Sequence, residues 1–210
     1  VHNSLGVTFK DQGKFNDAIG SYRLALKIKP DYADAHYNMG NALKDQGKLE
    51  DATEAYRLAL KIKPDYAAAH YNMGVTLQDQ GKLGEAIGSY QRVLKIKPDH
   101  ADAYNNMGNA LKDQGKLEEA IEAYQHALQI KPDHTEVHNN MGTALQDQGK
   151  LSEAIEAYQR ALKIKPDHVD VHNNMGTALK NHGKLDEAIE AYQRALGIEP
   201  DHVGAHNNMG

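Results

Sequence analysis

Apolar and small residues along this chain fall in a pattern that breaks and restarts at a fixed step. Between Thr135 and His168, the residues His138, Met141, Gly142 and Leu145 stand at i, i+3, i+4 and i+7, the spacing of one face of a helix. After a break, Leu151, Ala154, Ile155, Tyr158 and Leu162 restart it. The unit therefore predicts two amphipathic helices. Gly149 reads as the stop of the first helix, and Pro166 ends the second by forcing Lys165 away from helical angles. Asp133 with Glu136 has the D-x-x-E form of an N-terminal cap, repeated at Asp31/Asp34, Asp99/Asp102 and Asp167/Asp170.

The pattern belongs to a repeat. The stretch ADAYNNMGNALKDQGKLEEAIEAYQHALQIKPDH, Ala101 to His134, is written again and again with small edits, and proline marks the same 34-residue step at Pro30, Pro64, Pro98, Pro132, Pro166 and Pro200. Units run over 1–32, 33–66, 67–100, 101–134, 135–168 and 169–202, followed by a partial unit 203–210. A glycine at the eighth position of the unit, alanine at the twentieth, an aromatic at the twenty-fourth, alanine at the twenty-seventh and proline at the thirty-second are represented by Gly142, Ala154, Tyr158, Ala161 and Pro166. This set resembles the tetratricopeptide repeat along the whole chain. The resemblance implies an all-α fold, a right-handed superhelical solenoid of tandem helix-turn-helix repeats, and a protein-interaction scaffold. One departure is regular: at the fourth position, where the family often has tryptophan, stand His2, His36, His70, Tyr104, His138, His172 and His206.

One helix pair could not stand alone. Ordering the backbone costs roughly 1–2 kcal/mol per residue, while each buried Leu, Ile or Met returns about 1.5–3 kcal/mol. Stacking of repeats supplies the missing burial, with Gly142 and Ala154 allowing close approach and Tyr158 and Leu162 expected to reach the following unit. The chain starts at Val1, inside a first helix, and ends inside another, as a piece of a longer array would. Fraying from Val203 onward, or end-to-end docking between molecules, is expected there. Glu156/Arg160 and Glu190/Arg194 read as i, i+4 pairs on outer faces.

The face of the first helix opposite its apolar stripe carries the candidate chemistry. With about 100° between residues, the second, fifth, sixth, ninth and thirteenth positions point away from the stripe. Asparagine recurs at the sixth as Asn38, Asn72, Asn106, Asn140, Asn174 and Asn208, with Asn105, Asn139 and Asn173 before it and Tyr37 and Tyr71 in that place in two units. Asparagine is roughly half a kcal/mol worse than alanine in a helix, so a row of them on exposed helix is not a choice stability alone would make. A carboxamide offers one acceptor and two donors, the vocabulary of a peptide bond. A ladder of them could hold an extended backbone with little regard to its side chains, and the tyrosines could add an aromatic contact. Bonds to neighbouring helices are the structural alternative.

The segments NNMGNALKDQGKLEEAIEAY and NNMGTALQDQGKLSEAIEAY look like arrays of the O-linked N-acetylglucosamine transferase type, which carry such a ladder in a concave groove. By that resemblance Asn38, Asn72, Asn106, Asn140, Asn174 and Asn208 become backbone-binding candidates. Chaperone-binding repeat proteins clamp a carboxylate with lysine or arginine at the second, fifth or sixth position; here those places hold Asp34, Tyr37, Asn38 and Asp170, Asn173, Asn174. With Asp34, Asp102, Glu136 and Asp170 along one edge, the expected partner is a neutral to basic extended segment.

Charge and composition narrow the rest. A formal net charge of -5 and the absence of a basic groove speak against nucleic acid. No cysteine is present, which removes disulfides and thiolate chemistry. No membrane span, signal peptide, P-loop, G-x-S-x-G or H-E-x-x-H occurs, so an enzyme is not expected, nor a cofactor, and the cytoplasm is the expected location. His134/His138, His168/His172 and His202/His206 have chelating i, i+4 spacing, but two ligands make no structural metal site; sensitivity to acid is the milder expectation. Two alternatives remain: the substrate-recruiting arm of a larger enzyme of the glycosyltransferase kind, and a self-assembling structural array.

Overall fold

The computed structural model describes residues 1–209, and among them every regular element is an α-helix. The chain divides into two compact units, Val1–Ala110 and Leu111–Gly210. The first contains α1 (His2–Asp11), α2 (Phe15–Ile28), α3 (Ala33–Asp45), α4 (Leu49–Ile62), α5 (Ala67–Asp79) and α6 (Leu83–Ile96); α7 (Ala101–Asp113) begins in it. The second contains α8 (Leu117–Ile130), α9 (Thr135–Asp147), α10 (Leu151–Ile164), α11 (Val169–Asn181), α12 (Leu185–Ile198) and α13 (Val203–Met209). Within the first unit α1 to α6 pack in chain order, and α1, α3 and α5 also touch in turn. In the second unit α8 to α13 do the same, with α9, α11 and α13 in a row. This is the local stacking of a helical solenoid.

Helix ends follow the predicted glycine and proline, but not the predicted aspartates. Gly149 has φ 76°, a left-handed turn just past α9 that only glycine adopts cheaply, and Lys165 is extended at φ -129°, ψ 90° ahead of Pro166. The N-cap residues of α3, α9 and α11 are Tyr32, His134 and His168, without a side-chain cap. The Pro-Asp pairs are consumed by the preceding turn, one residue too early to cap. Where a cap bond exists it comes from histidine: His100 Nδ1 accepts the Ala103 N–H at 3.3 Å and His202 Nδ1 that of Ala205 at 3.1 Å.

The core is built from small residues and one tyrosine per repeat. Ala154, Ala161, Val137 and Ala144 are buried, and Leu145 joins them. The third and tenth positions therefore belong to the core, while Met141 is only half-buried. The ring of Tyr158 lies in its own repeat under Gly142, where an added Cβ would meet Cε1 at 2.6 Å. Its hydroxyl stays there as well, donating to Thr143 Oγ1 and Gln146 Oε1 at 3.3 Å each. The ring of Tyr158 thus closes its own helix pair, while the cluster around the equivalent Tyr90 takes in Met107 of the following repeat, in line with the expected reach.

Isoleucine at the twenty-first position makes the bond between repeats. Ile155, followed by the full-length α11, is 6% exposed, whereas Ile189, followed by the seven-residue α13, is 44% exposed. The next first helix therefore supplies much of the roughly 1.5–3 kcal/mol that burying such a side chain returns. α13 is helical through Met209, tied by His206 Nε2 to the Pro200 carbonyl at 2.8 Å and by Lys180 Nζ to the Asn208 carbonyl at 3.1 Å. No helix among the described residues is long and apolar enough to cross a membrane.

Candidate functional site

The asparagine row is real, but it is not the exposed row the pattern suggested. Every member of it, with Tyr37 and Tyr71, is half-buried, because the sixth-position amides bond to the fifth position of the preceding repeat. Asn38 Nδ2 donates to Asn3 Oδ1 at 3.1 Å, Asn72 Nδ2 to the Tyr37 hydroxyl at 3.1 Å, and Asn106 Nδ2 to the Tyr71 hydroxyl at 3.0 Å. In the second unit Asn174 donates to Asn139 Oδ1 at 3.1 Å and Asn208 to Asn173 Oδ1 at 3.0 Å. Asn105 donates to Asn106 Oδ1 at 3.3 Å, and Asn140 sits beside Asn139 in α9. A net gain of about 0.5–1.5 kcal/mol per hydrogen bond offsets the poor helix propensity of asparagine. Stability alone therefore accounts for part of the row.

These bonds use the amide nitrogen. The Oδ1 atoms of Asn38, Asn72, Asn174 and Asn208 accept nothing from the described residues, so each unit retains carboxamide oxygens that could accept from a ligand N–H. At the edge of the first helices, Asp34 and Asp102 in the first unit and Glu136 and Asp170 in the second are exposed. Glu136 is held below the usual carboxylate range by a bond from its own backbone N–H and by His134, whose Nδ1 stands 3.0 Å from Oε2.

The last residue of each repeat joins this edge, a feature the sequence reading missed. The ring of Tyr66 packs on Tyr37 at 4.9 Å between centroids, and that of His100 stacks on Tyr71 at 5.1 Å. Burial, and next the Asp34 carboxylate, push the hydroxyl pKa of Tyr66 above the ordinary range. His202 Nε2 approaches Asp170 Oδ1 at 3.4 Å. The signal was present in the recurring Tyr32, Tyr66, His100, His134, His168 and His202, but its spacing lies outside either helix period.

The fourth-position histidines face elsewhere. His36, His70, His138, His172 and His206 donate Nε2–H to the carbonyls of Pro30, Pro64, Pro132, Pro166 and Pro200 at 2.8–3.0 Å. Each imidazole latches its first helix to the preceding inter-repeat turn. The Nδ1 atoms of His36, His70, His138 and His172 are buried with no hydrogen-bond partner among the described residues. Burial pushes the His138 pKa down, and the nearby Arg160 and His134 add to this. Among the described residues no group of three or more His, Asp or Glu could share a metal ion.

Comparison with known proteins bears on the fold. A search of curated proteins found no match. Among solved structures, YrrB, described as a TPR protein with an unusual peptide-binding site, is 24% identical over 89% of this chain and 96% of its own, with a TM-score of 0.74. MamA is 26% identical over 80% of this chain and 92% of its own, with a TM-score of 0.75. PilF of Pseudomonas aeruginosa is 20% identical over 98% and 94%, with a TM-score of 0.80. Models described as Tetratricopeptide repeat match residues 65–133, 99–167 and 139–203, and one described as TPR repeat matches 6–47 and 40–81. With that coverage, and with helix pairs closed by a glycine on a tyrosine at Gly6/Tyr22, Gly40/Tyr56, Gly74/Tyr90, Gly142/Tyr158 and Gly176/Tyr192, the chain belongs to the tetratricopeptide repeat family.

Proposed function

We propose that this protein is an interaction scaffold, without catalysis of its own, that binds an extended peptide segment along its first helices. The observation that carries the reading is the unused carboxamide oxygen at Asn38, Asn72, Asn174 and Asn208. An inter-repeat bond fixes each amide before a ligand arrives, so little side-chain entropy is lost on binding. Each oxygen can then accept a backbone N–H of a ligand. The acidic residues of each unit, Asp34 and Asp102 in the first and Glu136 and Asp170 in the second, favour a neutral to basic segment, and Tyr37 with Tyr66, and Tyr71 with His100, supply flat surfaces for an apolar side chain. YrrB, described as having an unusual peptide-binding site, is consistent with this use of the fold.

The test selects peptides from a random displayed library on the intact protein and measures them by anisotropy against N38A/N72A/N174A, with circular dichroism to confirm the fold. Selected peptides should be neutral to basic and lose roughly tenfold or more in affinity, about 1.4 kcal/mol. Equal binding by the folded variant removes the ladder as the site.

A further inference from the structure

A second feature repeats along the chain and has no part in the ladder. Where one repeat's Pro-Asp turn meets the next repeat's second helix, a cleft opens. Between the second and third repeats it measures about 680 Å³ and is lined by Pro64, His70, Arg92, Lys95 and Ile96 among others. Between the fourth and fifth it measures about 550 Å³, lined by Pro132, His138, Arg160, Lys163 and Ile164. The same residue positions thus build both: a proline ring and isoleucine as apolar wall, a latched histidine, and a cationic pair from the second helix.

The cationic pairs are not explained by the fold. Arg92 and Lys95 lie three apart in α6, and Arg160 and Lys163 three apart in α10, neighbours on a helix surface where like charges cost a few tenths of a kcal/mol. The lysines gain something from the helix C-terminus; the arginines stand a turn earlier and gain less. The Glu156/Arg160 pairing expected from the sequence is not formed, and among the described residues none of the four cations makes an ion pair within 4.0 Å. By contrast, Arg57, one position earlier in the preceding repeat, closes on Glu85 at 3.1 Å. The loop aspartates, Asp65 and Asp133, line the clefts but leave each with an excess positive charge.

We infer that these clefts form a second binding surface, for an acidic peptide segment that sets a carboxylate on Arg92/Lys95 or Arg160/Lys163 and an adjacent aliphatic side chain against Pro64/Ile96 or Pro132/Ile164. A guanidinium offers a carboxylate two parallel donors, and the apolar wall gives the neighbouring side chain its burial. The molecule as a whole carries a net charge of -5, so an acidic peptide gains nothing from the overall field and binds only where the local sign is reversed. The cleft lined by Pro166, His172, Arg194 and Ile198 is the built-in contrast: Gly197 occupies the lysine's place, and its share of the binding is smaller. This surface would let the scaffold hold a basic segment and an acidic one at once.

The probe is a fluorescein-labelled peptide of three Glu-Leu-Ser triplets, with lysine replacing glutamate in the control, titrated by anisotropy at low ionic strength. The intact protein should bind the acidic peptide and not the control. R92E/K95E/R160E/K163E should weaken it roughly tenfold or more, and R92Q/R160Q less; N38A/N72A/N174A should leave it unchanged. All four cationic side chains are exposed, and melting curves check that the variants fold. The inference is overturned by unchanged binding to the charge-reversed protein, by equal binding of the lysine peptide, or by no saturation below about 1 mM, the weak end of specific recognition. Displacement of the peptide by RNA at equal charge concentration would reassign the clefts to nucleic acid.

Discussion

Replacing Gly142 by alanine and replacing Gly20 by alanine are the same chemical change with opposite expected outcomes. Both glycines lie inside helices, Gly142 in α9 and Gly20 in α2, and at either site alanine gains about 0.8–1 kcal/mol of helix propensity. At Gly20 nothing lies within 4 Å of the new Cβ, so the whole gain appears as stability. At Gly142 the Cβ would fall 2.6 Å from Tyr158 Cε1, 2.8 Å from Cδ1 and 2.9 Å from Cζ. That ring cannot swing aside: it is 1% exposed, and its hydroxyl is held by Thr143 and Gln146. Overpacking of this kind costs about 1–3 kcal/mol. Because the propensity term is common to both substitutions, the gap between G20A and G142A measures the packing term directly. Thermal and urea unfolding of the three proteins should place G20A above the parent and G142A below or level with it. For a chain of this size each kcal/mol corresponds to roughly 2–4 °C. If G142A melts at or above G20A, the Gly142–Tyr158 contact does not set the spacing of the helix pair, and the account of the core is wrong.

Other expectations can be checked on the same footing. Gly149→Ala, at φ 76° with open space around it, should cost roughly 1–2 kcal/mol from backbone strain alone, read by urea unfolding, while Gly149→Asn should recover part of it. Tyr56→Phe removes the donor to Asn41 Oδ1 at 2.8 Å and should destabilise by about 0.5–1.5 kcal/mol, whereas Tyr22→Phe removes a buried hydroxyl with no partner and should be neutral or stabilising. His138 has a lowered pKa in the folded state, so the unfolded chain binds its proton first and stability falls as pH drops below the ordinary histidine value of about 6.5. The melting temperature should therefore fall between about pH 7.5 and about pH 5.5, and fall less in His138→Gln. At the other extreme, burial raises the pKa of Tyr22 and Tyr158 to about 12 and pushes those of Tyr56, Tyr90 and Tyr124 higher. Their contribution is complete below the unfolded tyrosine value of about 10 and lost as pH rises beyond it, so circular dichroism should show base-induced unfolding above about pH 10.

Much of this protein is set by sequence alone. The 34-residue step, the breaks at Gly149 and Pro166 and the two apolar stripes settle where helices start and stop and that repeats must stack, because these are local preferences and a periodicity that any window of chain displays. Packing decided the rest. Whether the asparagines face solvent or bond across repeats depends on a partner 35 residues away, as between Asn72 and Tyr37, which no helix period encodes. The aspartates expected to cap became turn residues, and His100 and His202 took the capping bonds. The fourth-position histidines, whose spacing showed only that they could pair with the preceding repeat's last residue, became latches on the proline carbonyls. Arg92 and Arg160 show the same division: by sequence each is an ordinary surface charge, and only the cleft formed by a turn and a helix of different repeats sets it beside a lysine, with one aspartate in the lining. Local chain chemistry fixes the elements, while the company each side chain keeps is a long-range property of the stack.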